Sequence, residues 1–147
     1  MATEQKTDTE KCELKPLPGW RELKDDAIRL GLDGIGIFNE FTDEEIERAF
    51  NYIGPDRFPE KLRLALSHLH RVVLPAVLIH DLDFTKGGTK TEFHQANKRL
   101  KKNMKTCVRA NRKDYTWVGY QLAKVRIWAA YRLCEKYGYE GWPKEGR

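Results

Sequence analysis

From Glu60 to about Leu82, apolar residues recur at three- and four-residue spacing, at Leu62, Leu66, Leu69, Val73 and Val77, and Leu74, Ala76, Leu78 and Ile79 fill the other faces. A helix with one apolar face can lie on a surface, but one that is apolar all round is stable only when other elements enclose it. The stretch is therefore expected to form a central, buried helix. Pro75 should bend it, by removing a backbone donor and freeing the carbonyl of Arg71. Its longest unbroken apolar run, Val72 to Ile79, is far shorter than the roughly 20 residues that cross a bilayer.

The polar end of this run, HDLDFTKGGTK, predicts a turn at Thr85 to Lys90. A second helix should then run from Thr91 to about Val108, with Phe93, Ala96, Leu100 and Met104 facing inward. Upstream, TDEEIERAF carries the helix-start pattern of a hydroxyl at Thr42 three residues before Glu45. That helix should stop near Tyr52, before Gly54 and Pro55. A last helix is expected from about Tyr115 to Tyr137, closed by Gly138, with Trp117, Leu122, Val125, Trp128, Ala129 and Leu133 adding to the core. Gly31, Gly34 and Gly36 interrupt LKDDAIRLGLDGIGIF and predict an irregular turn, a short strand or a β-hairpin. Residues 1 to 15 lack apolar periodicity and read as a mobile tail. The expected fold is all-α: a single domain over 16–147, of about four helices around a central antiparallel pair, in a chain of 147 residues.

Charge is unevenly placed. Residues 1 to 60 carry 15 acidic and 8 basic side chains, net −7, whereas 61 to 147 carry 7 acidic and 19 basic, net +12. The densest basic stretch includes Lys98, Arg99, Lys101, Lys102 and Lys105, a candidate anion-binding set for lipid headgroups or nucleic acid. A solvated helix face is the alternative reading. Cys12, Cys107 and Cys134 form no CxxC pair, so neither a disulfide framework nor a thiolate zinc site is suggested. With no basic-then-apolar leader, the expected setting is cytoplasmic or phage-associated.

His80 falls three residues after Val77 and four before Phe84, so it should point inward. Reflecting the chain about Gly87 sets it opposite His94, with Asn97 one turn further along the same face. A buried imidazole with one nitrogen fixed by a partner keeps the other for use as a base or ligand. Asn97 would orient His80. Asp81, about 100° further round, with Asp83 at the helix end, would hold a hard cation such as calcium through oxygens. Alternatively, His80 and Asn97 are a satisfied polar pair, and the two aspartates simply end the helix.

LIHDLDF resembles the His-Asp-x-x-aromatic signature of secreted phospholipases of the A2 class. The resemblance implies that His80 activates water and Asp81 binds calcium, with Phe84 where that class has Tyr and Asn97 where it has the orienting acid. A larger part of the chain, through YIGPDRFPEKLR, LIHDLDF, GG, FHQANKRLKKNM and YRLCEKYGYEGW, resembles a small helical family of phages and prophages. That likeness assigns no substrate, but implies a shared fold and importance for His80, Asp81, Asn97 and Asn103.

Three functions compete at this level. One is a His-Asp hydrolase of esters, phospholipids or cell-envelope material, with His80, Asp81, Asn97 and His94 at its centre and metal at Asp81 and Asp83. Another is a non-catalytic phage structural or assembly protein in which the same cluster locks helices together. A third is nucleic-acid binding through the basic helix.

Overall fold

The structure is a computed structural model, and it describes residues 17–50 and 71–144. The fold is all-α. Five α-helices occur among the described residues: α1 (Trp20–Arg29), α2 (Asp43–Ala49), α3 (Leu74–Lys86), α4 (Lys90–Ala110) and α5 (Trp117–Tyr137). Short 3-10 turns at Ile35–Glu40, Arg71–Val73, Arg112–Asp114 and Tyr139–Gly141 link or flank them. The tail expected at 1–15, the GPD stretch at 54–56 and the helical periodicity expected from Glu60 to residue 70 lie outside the described residues.

α3 is buried on nearly every side, from Leu74 through Ile79 and again at Leu82 and Asp83. Leu74, Leu78, Leu82 and Ile79 are fully buried among side chains of α1, α2, α4 and the Ile35–Glu40 turn. Truncating one such residue to Ala costs about 2–5 kcal/mol. Of the helix expected to bend at Pro75, the part before Arg71 lies outside the described residues. Pro75 itself occupies the first turn of α3, after the Arg71–Val73 turn. There its missing N–H is one that no carbonyl of the helix would accept, so proline is tolerated without a kink.

α3 extends to Lys86, and α4 begins at Lys90, so the turn is shorter than the TKGGTK segment suggests. Thr89 caps α4 through the backbone N–H of Glu92, whose carboxylate returns to the Thr89 N–H. Gly87 (φ 68°) and Gly88 (φ 134°) have backbone that L side chains rarely adopt. A Cβ at Gly87 would strike Pro143, and one at Gly88 would strike the Glu92 carboxylate that closes the cap. The C-terminal segment clasps this turn: Gly88 N–H donates to Pro143 O at 2.8 Å, and Trp142 Nε1–H donates to Gly88 O at 3.0 Å. Trp142 also packs edge-on against Phe84 and Phe93, forming a small aromatic core beside the main one.

Of the forms expected for the glycine-rich N-terminal segment, the irregular turn is present over residues 31–40 and no strand occurs. What precedes it is helical: residues Trp20–Arg29 are α1, which buries Leu23 and Ala27 one turn apart. The segment's glycines all lie after the helix, so they end it at Gly31 (φ 63°) without breaking it. α5 differs more. Trp117, Leu122, Val125, Trp128 and Leu133 are exposed, and its buried residues are Ala123 and Ile127, flanked by the partly buried Tyr120, Ala130 and Cys134. α5 has two apolar stripes, and the one with small residues faces inward because alanines allow close approach to α4.

Candidate functional site

His80 on α3, Asn97 and His94 on α4, and Glu135 on α5 form one hydrogen-bonded chain across three helices. His80 Nε2 lies 2.8 Å from Asn97 Oδ1. Asn97 Nδ2 donates to Glu135 Oε1 at 3.1 Å, and His94 Nδ1 lies 2.7 Å from Glu135 Oε2. Asn97 is fully buried, while the two histidines and Glu135 are half-buried. His80 and His94 are thus joined through Asn97 and Glu135, without direct contact between their rings.

The carboxylate sets every direction in this chain. Glu135 only accepts, so Asn97 turns its amide nitrogen to it and its oxygen to His80. His80 Nε2 must then carry the proton, leaving Nδ1 as the acceptor nitrogen. Burial pulls the His80 pKa below its usual 6.5, against the opposing effects of the Asn97 bond and the Asp83 charge, so the ring is neutral at pH 7. Glu135 was not among the residues singled out from sequence. Its signal is simple: it is the one carboxylate between Trp117 and Tyr137.

Asp81 and Asp83 do not converge. Asp81 lies toward α5, where its charge adds to burial in raising the Cys134 thiol to about 12. Asp83, nearly buried, takes Arg99 Nη1 at 2.8 Å on each oxygen. Arg99 crosses the glycine loop, its Nε 3.7 Å from Asp33 Oδ2 and its side chain packed where a Cβ on Gly34 would stand. Asn103, fully buried, pins the same loop: its Oδ1 accepts from Asp33 N–H and its Nδ2 donates to Asp33 O, both at 2.9 Å. The guanidinium already supplies the cation that Asp83 needs. These residues do not fit calcium, and no group of three or more metal-binding side chains occurs among the described residues.

The five candidate anion-binding side chains are also divided. Arg99 is committed to Asp83, Lys101 lies 4.9 Å over the Tyr131 ring, and Lys102 reaches Asp33 at 3.9 Å. Lys98 and Lys105 are exposed. Exposed cations instead continue onto α5, at Lys124, Arg126, Arg132 and Lys136, among its exposed apolar side chains. A small cavity between Val73, Val108, Tyr115, Ala123 and Ile127 has about 20 Å³ of room, enough for one water. No helix among the described residues is long and apolar enough to cross a membrane. No protein-family model matches the chain, and no curated protein or solved structure matches it.

Proposed function

We propose that the chain is a non-catalytic docking or assembly protein, in which the His80–Asn97–Glu135–His94 chain is a lock that holds α5 against α3 and α4. A lock of this kind needs each polar group satisfied by another side chain, and Asn97 and Glu135 each use both ends of their polar groups on partners from other residues. The observation that carries the docking role is on the other side of α5. Trp117, Val118, Val125 and Trp128 are each more than half exposed on a helix anchored by its inner face. Apolar surface gathered in this way marks an interaction site. The resemblance to the phage and prophage family suits an assembly component and names no chemistry.

Val125→Asp combined with Leu122→Asp tests this function. As surface changes they should leave the thermal midpoint within a few degrees and abolish the association of the protein with its partner surface. A large fall in midpoint would show that the face is core, and would sink the docking role.

A second role, with His80 as the general base of a hydrolase, is favoured by one observation. The Asn97 bond leaves Nδ1 of a neutral ring as an acceptor, the form a base requires. Hydrolysis of a generic ester by the unaltered protein, lost in His80→Gln, would support it over the lock.

A further inference from the structure

The outward stripe of α5 consists of Val118, Leu122, Val125 and Ala129, at four-, three- and four-residue spacing. At about 100° per residue these lie on the side opposite Ile127, which is buried. Trp117 and Trp128, 69% and 58% exposed, stand together on one edge of the stripe. Every exposed charged side chain of α5 is a cation: Lys124, Arg126, Arg132 and Lys136. Its one carboxylate, Glu135, is turned inward onto His94 and Asn97.

We propose that this face docks onto an anionic phospholipid membrane, lying in the interface without crossing it. The inference rests on the docking function above and names its partner. A partner for this face must be apolar at the centre and negative at the margins, which describes the surface of an acidic bilayer. Valine and leucine would enter the acyl boundary. Tryptophan is suited to headgroup depth, where one end of the ring system is apolar and the other wet. Arg132 sits 5.9 Å over Trp128 and Lys136 5.1 Å over Tyr137, so both cations lie beside aromatic rings and can extend to lipid phosphate.

The alternatives match less of the surface. A second copy of the chain would bring four cations against four cations, a repulsion that the inward-turned Glu135 does not relieve. Nucleic acid offers phosphate but no apolar layer for Val118, Leu122 and Val125.

Vesicle sedimentation tests the proposal, with the full chain, phosphatidylcholine alone and phosphatidylcholine mixed with phosphatidylglycerol. Binding is expected to the mixed vesicles only, with a blue shift in tryptophan emission that shrinks when Trp117 and Trp128 are changed to Phe. Val125→Asp should abolish binding with an unchanged circular dichroism spectrum and thermal midpoint. Each of Lys124→Gln, Arg126→Gln, Arg132→Gln and Lys136→Gln should weaken binding about five-fold. Equal binding to neutral vesicles, or none to either, overturns the lipid inference. Should the chain instead form a dimer that Val125→Asp disperses, or bind an oligonucleotide through the same residue, the lipid inference falls and the docking function stands. Should acrylamide quench the wild type no better than the Trp117→Phe/Trp128→Phe variant, both fall, because the face is then covered.

Discussion

Asn97 Nδ2 donates to Glu135 Oε1 at 3.1 Å, and through that bond a carboxylate on α5 dictates which nitrogen of a histidine on α3 carries its proton. His80 and Glu135 never touch, yet the state of one depends on the other. α3, α4 and α5 are held together by this relay as well as by their apolar contacts.

Asn97→Ala should therefore be costly. It strands the His80 N–H and one oxygen of Glu135 in a site that is largely closed to water. Each unsatisfied group costs about 1–3 kcal/mol, so urea unfolding should show a loss of about 2–4 kcal/mol. Glu135→Gln should cost about 1–2 kcal/mol, because an amide replaces the charged acceptor at both bonds.

Stability should fall on acidification through His80. Its folded pKa lies below 6.5, so the native ring resists a proton that the unfolded chain accepts. The penalty is absent well above pH 6.5, grows as pH falls below it, and levels off below the folded pKa. The residues that bear on His80 are Asn97 and Asp83, and both oppose the shift. Unfolding midpoints of wild type and His80→Gln, compared from about pH 7.5 to 5, should converge as pH falls.

Asp83 and Arg99 form a pair whose halves are worth less apart. Arg99→Met leaves a carboxylate that is 9% exposed without its guanidinium, and removes the side chain crossing the glycine loop at Gly34. The expected loss is about 3 kcal/mol. Changing both residues to apolar groups, Asp83→Leu with Arg99→Met, should recover most of it. Chemical denaturation of Arg99→Met, of Asp83→Leu alone and of the double variant closes the cycle.

Gly88→Ala should unfold the turn before it harms a helix. The substitution combines positive-φ strain with a collision at the Glu92 carboxylate that caps α4. A loss of about 2–3 kcal/mol is expected. Hydrogen exchange should quicken first at the amides of Thr89 to Phe93 and at the indole N–H of Trp142, which donates to the Gly88 carbonyl.

Cys107 and Cys134 should be unreactive in the native state. Burial pushes both thiols up to about 12, so thiolate is scarce at neutral pH. In a Cys12→Ser variant, a disulfide reagent at pH 8 should titrate no thiol until denaturant is added, and then two.

Much of this arrangement is legible in the chain, with gaps that have physical causes. The α3 residues Leu74 to Ile79 read as central because their apolar character has no gap for solvent. Thr42 with Glu45 marks the start of α2 through a capping box that the structure contains. Reflection about Gly87 sets His80 opposite His94 with Asn97 one turn on. The structure keeps the neighbourhood but gives the bond to Asn97, because a two-glycine turn fixes the side on which the chain returns and not the register to a single residue. Reflection places nothing from α5, and so Glu135 goes unseen: spacing within a pair of helices carries no information about a third. Arg99 is hidden differently, as one inward-turned cation in a run of solvated ones. The stripes of α5 mislead because periodicity shows that a face is apolar, not what covers it. Ala123 and Ala130 were the better guide to the buried side, since close helix contact favours small side chains.

Whether the His80 relay is a lock is tested most directly by urea unfolding of His80→Gln at neutral pH, read with its ester hydrolysis. The lock predicts a loss of about 1–2 kcal/mol, because glutamine cannot match the imidazole in both shape and hydrogen bond, with hydrolysis absent before and after the change. Stability that is unchanged or raised, together with the loss of a hydrolytic rate present in the unaltered protein, would contradict it. That result would mark His80 as a residue kept for chemistry at the expense of the fold.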